Sequence, residues 1–282
     1  MSGVASVAGV APRESALARA VGFVRRHVLT GYAILALAYL FLPIAVVVAF
    51  SFNDPAGRFN FTWQGFTLKN WAHPFNYPGL GGAIRISLEI AVLSSLGATI
   101  LGTLIALALV RYRFVGSGLT NLLIFMPLTA PEIVLGASLL TLFLHWGIAQ
   151  GFLTILIAHI MFNISYVVVT VKARLAGFDR HLEEAAMDLG ANEWTTFFRV
   201  TLPLIMPGIL AAALLAFALS IDDFVITYFN AGATTTFPLF VWGAARVAVP
   251  AQINVIGTMI FVVAVGAMLA NVLLQGRRAR TA

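Results

Sequence analysis

The chain has 282 residues, of which 60% are hydrophobic and only 10% charged; its mean hydropathy is +0.95, its formal net charge +6 and its pI near 10.2. That balance lies outside the range of soluble domains and is that of an integral membrane protein. No cysteine is present, which excludes a disulfide framework and thiolate metal sites, and the arginines cap apolar runs instead of clustering on the basic face that a nucleic-acid partner requires.

Residues 1–30 look like a signal-peptide n-region leading into an apolar run, but the run is too long for an h-region and lacks a small-residue cleavage site. It is read as a cytoplasmic segment followed by a retained first span. Crossing ~30 Å of hydrocarbon at ~1.5 Å per residue takes about 20 apolar residues. Six segments qualify: 31–50, 85–109, 119–144, 152–171, 207–229 and 253–274. With both termini inside, thirteen of the 17 lysines and arginines, from Arg13 to Arg280, fall in the cytoplasm, leaving Arg58, Lys69, Arg85 and Arg246 outside. The positive-inside rule therefore selects that topology.

Between the first two spans runs FTWQGFTLKNWAHPFNYPG, rich in aromatics, Pro and Gly. Two readings stand for it: an ordered loop that meets an outside partner, or a loop on the lipid headgroups with Trp63 and Trp71 as interface aromatics. In span two, Ser94, Ala98, Gly102 and Ala106 form a four-residue repeat of small side chains that lets another helix approach closely. In span four, His159, Asn163 and Tyr166 form a polar stripe at i, i+4 and i+7, which either lines a path or, more commonly for such groups, bonds a neighbouring helix.

Acidic residues are few. Glu14 lies near the N-terminus, Asp54 lies outside, and Glu89, Glu132, Asp222 and Asp223 fall within spans. Counted along straight helices from the cytoplasmic ends, Glu132 and Asp222 sit ~20 and ~22 Å deep. Glu89 has Arg85 one turn away and is read as a local ion pair. Carboxylates in hydrocarbon are costly and face cavities or bundle interiors, so Asp222, Asp223 and neighbouring Ser220 are candidate pathway residues. No lysine or arginine in the spans is placed to neutralise them, which suits a substrate carrying two or more positive charges. A protonated carboxyl bonding a neighbour, or a proton relay, are the competing readings.

Catalytic signatures are missing. The only lysines, Lys69 and Lys172, do not follow glycine, so no GxxxxGK phosphate loop exists; HExxH and GxSxG are absent too. No cofactor or metal is expected on this chain, and a membrane hydrolase would need a nucleophile and base that are not found.

Polar chemistry concentrates between Lys172 and Pro203, which hold nine charged residues. Leu182, Ala185, Ala186 and Leu189 recur at helical spacing opposite Glu183, Glu184 and Asp188, predicting a short amphipathic helix with Asp179 as N-cap and Gly190 as its stop. Asn192 and Glu193 start a second short helix carrying Trp194, Phe197 and Phe198, with Pro203 and Pro207 expected to end it.

This segment, EEAAMDLGANEWTTFFRVTLP, resembles the EAA loop of permease subunits of type I ABC importers. The pattern of EAA, three residues, Gly, nine residues, Ile, one residue and Leu-Pro falls on Glu184, Ala185, Ala186, Gly190, Val200, Leu202 and Pro203, with Val in place of Ile. SIDDFVITYFNAG from Ser220 and PEIVLGASLL from Pro131 further resemble the spermidine/putrescine, PotC-like group, and Ser165 departs from a proline common in span four of relatives. The resemblance implies an all-α polytopic membrane protein with six transmembrane helices and the type I ABC importer (MetI-like) permease fold. It implies a cytoplasmic segment 1–30, a transmembrane domain 31–274 with a coupling loop at 172–207, and a cytoplasmic tail 275–282.

The same resemblance implies location in a bacterial inner membrane. Implied partners are a second, related permease, two cytoplasmic ATPase subunits that use the ATP and magnesium, and an external binding protein that delivers a polyamine-like cation. Glu183, Glu184, Ala185, Ala186, Asp188, Gly190, Leu202 and Pro203 would couple to the ATPase, Glu184 facing a basic group there. Glu132, Ser220, Asp222 and Asp223 would line the path. The alternatives are an importer permease for another small solute, or a proton-coupled secondary carrier whose buried acids titrate; an anion permease is disfavoured because the spans lack cations.

Overall fold

The computed structural model describes residues 16–112 and 114–281, with side chains for 27–112, 114–266 and 269. Arg13, Glu14 and Arg113 lie outside the described residues, and so do the side chains of 16–26 and 270–282 that carry much of the expected cytoplasmic charge. The helices among the described residues are α1 (Ala16–Phe50), α2 (Lys69–Ala72), α3 (Leu80–Arg111), α4 (Ser117–Thr129), α5 (Glu132–His145), α6 (Phe152–Ala176), α7 (His181–Asp188), α8 (Glu193–Thr196), α9 (Leu202–Asp222), α10 (Val225–Asn230), α11 (Phe237–Val247) and α12 (Ala251–Thr281). A π-helical turn, Phe197–Thr201, joins α8 to α9. The chain divides into two compact units, one of α3 to α11 and one of α1, α2 and α12.

Among the described residues, four helical stretches are long and apolar enough to cross a membrane: His27–Phe50, Leu80–Arg111, Phe152–Ala176 and Glu193–Asp222. The sixth predicted segment lies within α12, of which Ala251–Gly266 is a shorter apolar stretch. In α1, Leu29, Tyr32, Leu35, Tyr39 and Leu40 are all more than half exposed. A helix that is apolar all round and exposed needs lipid or another protein around it.

In the larger unit α3, α6 and α9 pack pairwise around Ala98, Ala106, Val167, Val168, Val171, Ile205, Ala212 and Ala216, all fully buried. The small-residue repeat of α3 makes this possible. A Cβ placed on Gly102 would meet Val167 Cγ1 at 2.6 Å and the Ile164 carbonyl at 3.3 Å. Close approach of this kind supplies the dispersion that holds helices together where lipid removes the hydrophobic drive. α6 runs uninterrupted through Ser165, which is buried.

Three expectations are corrected. The segment 119–144 is not one span: α4 and α5 meet at 111°, a break that gives a fifth crossing only if the pair is counted together. Ala130 precedes Pro131 and is extended, as sterics before proline demand. The depth of Glu132 along a straight helix therefore does not apply. The segment 207–229 also breaks, at Asp223, whose extended backbone separates α9 from α10. Finally, Pro203 and Pro207 do not end the second short helix. Pro203 follows directly on the π turn at the head of α9, and Pro207 is accommodated inside α9; Glu193–Asp222 is one helical path.

The loop after α1 is ordered around Asn53. Its amide donates to Asn60 Oδ1 (2.6 Å) and the Thr62 carbonyl (2.8 Å) and accepts from the Gln64 N–H (2.7 Å). Phe52 stacks between Phe66 and Trp71, and the Trp71 indole donates to Ser51 at 3.2 Å.

Overpacking at Gly102 is expected to be costly. Gly102→Ala should destabilise the detergent-solubilised protein by about 1–3 kcal/mol, read as a lower melting temperature in fluorescence-detected size exclusion, and Val167→Ala in the same chain should recover part of the loss.

Candidate functional site

The loop that carries α7 and α8 is built from short-range caps. Asp179 Oδ1 accepts from the His181 N–H (3.0 Å) at the start of α7, Gly190 adopts φ +90° just past its end, and Asn192 Oδ1 accepts from the Thr195 N–H (2.8 Å) at the start of α8. A left-handed turn at Gly190 is one that a Cβ would oppose.

The orientation of α7 differs from that read off its periodicity. Glu183, expected on the polar outer face, turns inward: its carboxylate takes Arg111 at the end of α3 and the Thr201 hydroxyl before α9, with only 16% of its side chain exposed. Arg111 reaches the same hydroxyl at 3.3 Å. Leu182, Met187 and Leu189, the last 90% exposed, are turned outward, as are Glu184, Ala185 and Asp188, while Ala186 is half-buried. Charge satisfaction overrides hydrophobic patterning because Arg111 lies at the foot of the bundle and needs a counter-ion. Arg180 adds a bond to the Val110 carbonyl (2.9 Å), and Arg174 one to Leu204 (3.0 Å). The aromatic trio divides: Phe197 packs into the core, while Trp194 and Phe198 stack on each other outside. Leu202 is half-buried and Pro203 exposed at the head of α9.

Glu184 pairs locally with His181, Oε2 to Nδ1 at 3.0 Å. That hydrogen bond, with the charges of Asp179 and Glu184, holds His181 above its ordinary value of 6.5. A raised imidazole stabilises the fold fully below its unfolded value, and that contribution is lost as pH rises through the folded one.

In the spans, the candidate pathway residues separate. Ser220 and Asp223 join one buried chain through His159. Its Nδ1 lies 2.7 Å from Ser220 Oγ, its Nε2 2.9 Å from Thr227 Oγ1 and 3.3 Å from Asp223 Oδ2, and Ser94 of α3 reaches Ser220 at 2.9 Å. Asp223 also accepts from the Thr227 N–H and hydroxyl, both at 2.8 Å, and so caps α10. The expectation of two unpaired carboxylates is thus corrected: Asp223 is consumed by the fold. Asp222 is exposed and makes no ion pair among the described residues; Glu132, also exposed, likewise makes none and stands in the first turn of α5. Glu89 pairs with Arg85 at 2.7 Å. Asn163 of the polar stripe is fully buried, with no hydrogen bond to a protein group among the described residues. No cluster suited to a metal is found among the described residues.

Arg111, Thr201, Ser94 and Thr227 were not legible as functional from sequence. Each is an ordinary helix residue whose partner lies on another helix. The basic last turn of α3 is the one signal that could have marked Arg111.

Long lipid-suited helices with a short helix pair, α7 and α8, clamped to their ends make the architecture of a multi-pass transport permease. Residues 98–278 match the family of binding-protein-dependent transport system inner membrane components, and the chain belongs to it. It is 40% identical over 238 residues to the spermidine/putrescine transport system permease protein PotC of Escherichia coli K12, covering 84% of this chain and 89% of that one. It is 39% identical over 235 residues to the putrescine transport system permease protein PotI of the same organism (80% and 83%). Among solved structures, a bacterial ABC transporter involved in the import of the acidic polysaccharide alginate shares the fold at TM-score 0.62 and 19% identity, over 94% of this chain and 99% of that one. A bacterial alginate ABC transporter in complex with an alginate pentasaccharide-bound periplasmic protein gives 0.61 at 17% identity (91% and 96%).

Two outcomes are expected. Histidine NMR should place the His181 midpoint above 6.5, falling in Glu184→Gln. Glu183→Ala should leave Arg111 without its partner and loosen α7 by about 2 kcal/mol, seen as faster hydrogen exchange over residues 181–196.

Proposed function

We propose that this chain is the permease subunit of an ATP-driven importer that translocates a polyamine-class organic cation. Its partners are a second permease, two cytoplasmic ATPase subunits that carry the nucleotide and magnesium, and an external binding protein. The observation that carries the coupling role is the Glu183–Arg111–Thr201 clamp under α7. It leaves Glu184, Ala185 and Leu189 free to meet an ATPase while fixing the helix to the ends of α3 and α9. A push on α7 then moves two spans as rigid bodies, and Gly190 lets α8 follow without bending α7. Glu184 is placed to pair with a basic group of the ATPase.

For the substrate, the support is similarity to relatives named for spermidine and putrescine and the chemistry of Asp222. This carboxylate stands exposed at the C-terminal end of α9, where helix carbonyls add negative potential. An intramembrane carboxylate of that kind is stabilised by an arriving ammonium group. Glu132 is a second acidic station, and Ser220 and Asp223 hold the break that presents Asp222. Both termini lie in the cytoplasm by the positive-inside distribution.

The decisive measurement is ligand-stimulated ATPase activity of the purified complex against polyamines, amino acids and anions. Stimulation by polyamines alone is expected. Asp222→Asn should reduce polyamine uptake at least about tenfold, as loss of a charge-assisted contact implies, with assembly intact. Glu184→Lys should weaken co-purification of the ATPase; normal binding and uptake would remove the coupling role. Uptake abolished by a protonophore and indifferent to ATP depletion would instead identify a proton-coupled carrier.

A further inference from the structure

Immediately beyond Asp222 the chain carries aromatic rings that neither the coupling loop nor the buried His159 chain uses. Phe224 lies 5.2 Å from Trp242 of α11 and 5.6 Å from Tyr228 of α10, centroid to centroid. Tyr228 in turn meets Phe229 edge-on at 5.8 Å. Tyr228 is 57% and Trp242 47% exposed, so the rings form a continuous track open on one side. One end of the track already holds a cation. The guanidinium carbon of Arg246 stands 4.8 Å from the centroid of Trp242, and Arg246 makes no salt bridge among the described residues.

We infer that Trp242, Phe224 and Tyr228 form a binding track for organic ammonium groups leading to Asp222, with Arg246 as a resident cation that the ligand displaces. The inference rests on the reading of this chain as a polyamine permease and specifies how that site selects its ligand. Aromatic faces attract ammonium groups through the ring quadrupole. The methylene stems between the charges of an alkyl polyamine suit the same apolar faces, as lysine stems suit apolar surface. A strongly hydrated inorganic cation gains neither. Arg246, by filling the face of Trp242 between transport events, keeps the first station from holding ligand too tightly and repels a second cation while it is in place.

The test uses the chain's own host with its gene deleted and each variant restored, measuring initial uptake of radiolabelled putrescine and spermidine per membrane-inserted permease. Trp242→Leu should lower Vmax/KM about tenfold, and Trp242→Phe should stay within about threefold of wild type because a ring is retained. Arg246→Gln should raise Vmax/KM about threefold by removing the competing cation. Tetramethylammonium chloride should inhibit wild type and lose that effect in Trp242→Leu, whereas sodium chloride at the same concentration should not discriminate the two.

Unchanged Vmax/KM in Trp242→Leu, or a loss of uptake in Arg246→Gln, overturns the track. Should Trp242→Leu fail to reach the membrane, Arg246→Gln decides: a rise of about threefold in Vmax/KM supports the track, and an unchanged or lower value overturns it. Equal uptake of both amines by wild type and deletion strain would instead remove the polyamine reading itself, and the track's ligand with it.

Discussion

Glu183 is the carboxylate on which the attachment of the α7–α8 loop to the bundle depends. It is drawn out of the polar face that its helical position assigns to it and into contact with Arg111 and Thr201. One interaction thereby joins three elements far apart in sequence: the end of α3, the helix α7 and the π turn that leads into α9. A loop attached only by its chain connections would dissipate an applied force in backbone rotation. Pinned by a charged pair with 16% and 30% of the side chains exposed, this loop is fixed to the ends of α3 and α9.

The π turn belongs to the same design. It supplies the one residue of slack that lets α8 enter α9 with Phe197 directed into the core and Thr201 fully buried against the clamp. Tight packing further up has the corresponding effect between helices. Gly102 brings α3 against α6 with no space for a methyl group, which makes a stiff contact between the two helices.

Where the spans break, the breaks are held by named groups. At α4/α5 the agent is Pro131. At α9/α10 it is Asp223, whose carboxylate replaces the missing intrahelical bonds and is itself supported through Thr227 and His159. Since the Thr227 hydroxyl donates to Asp223, Nε2 of His159 donates to Thr227, while Nδ1 meets the hydroxyl of Ser220, which accepts from Ser94. Four helices are thereby bonded through one buried polar chain. The consequence is a division of labour between adjacent aspartates, one structural and one presented.

Much of this was legible in the residues alone. Apolar runs placed the long helices because length and hydropathy are properties of local sequence, and the caps at Asp179, Gly190 and Asn192 followed from local backbone chemistry. The spacing of EAA, Gly and Leu-Pro was enough for the family, and the small residues of α3 marked its packing face. What stayed hidden depends on partners distant in the chain. Periodicity put Glu183 outside, since a helical pattern carries no information that Arg111 waits 72 residues earlier. It treated Asp222 and Asp223 alike, since only the fold brings His159 to one of them. It read 119–144 and 207–229 as straight, since a proline or an aspartate breaks a membrane helix only where other groups can satisfy the freed backbone. Sequence by itself determined the membrane class, the apolar helical stretches and the caps of the α7–α8 loop, all short-range properties. Tertiary structure alone decided which charges face inward, because the burial of a carboxylate is settled by the counter-ion it finds.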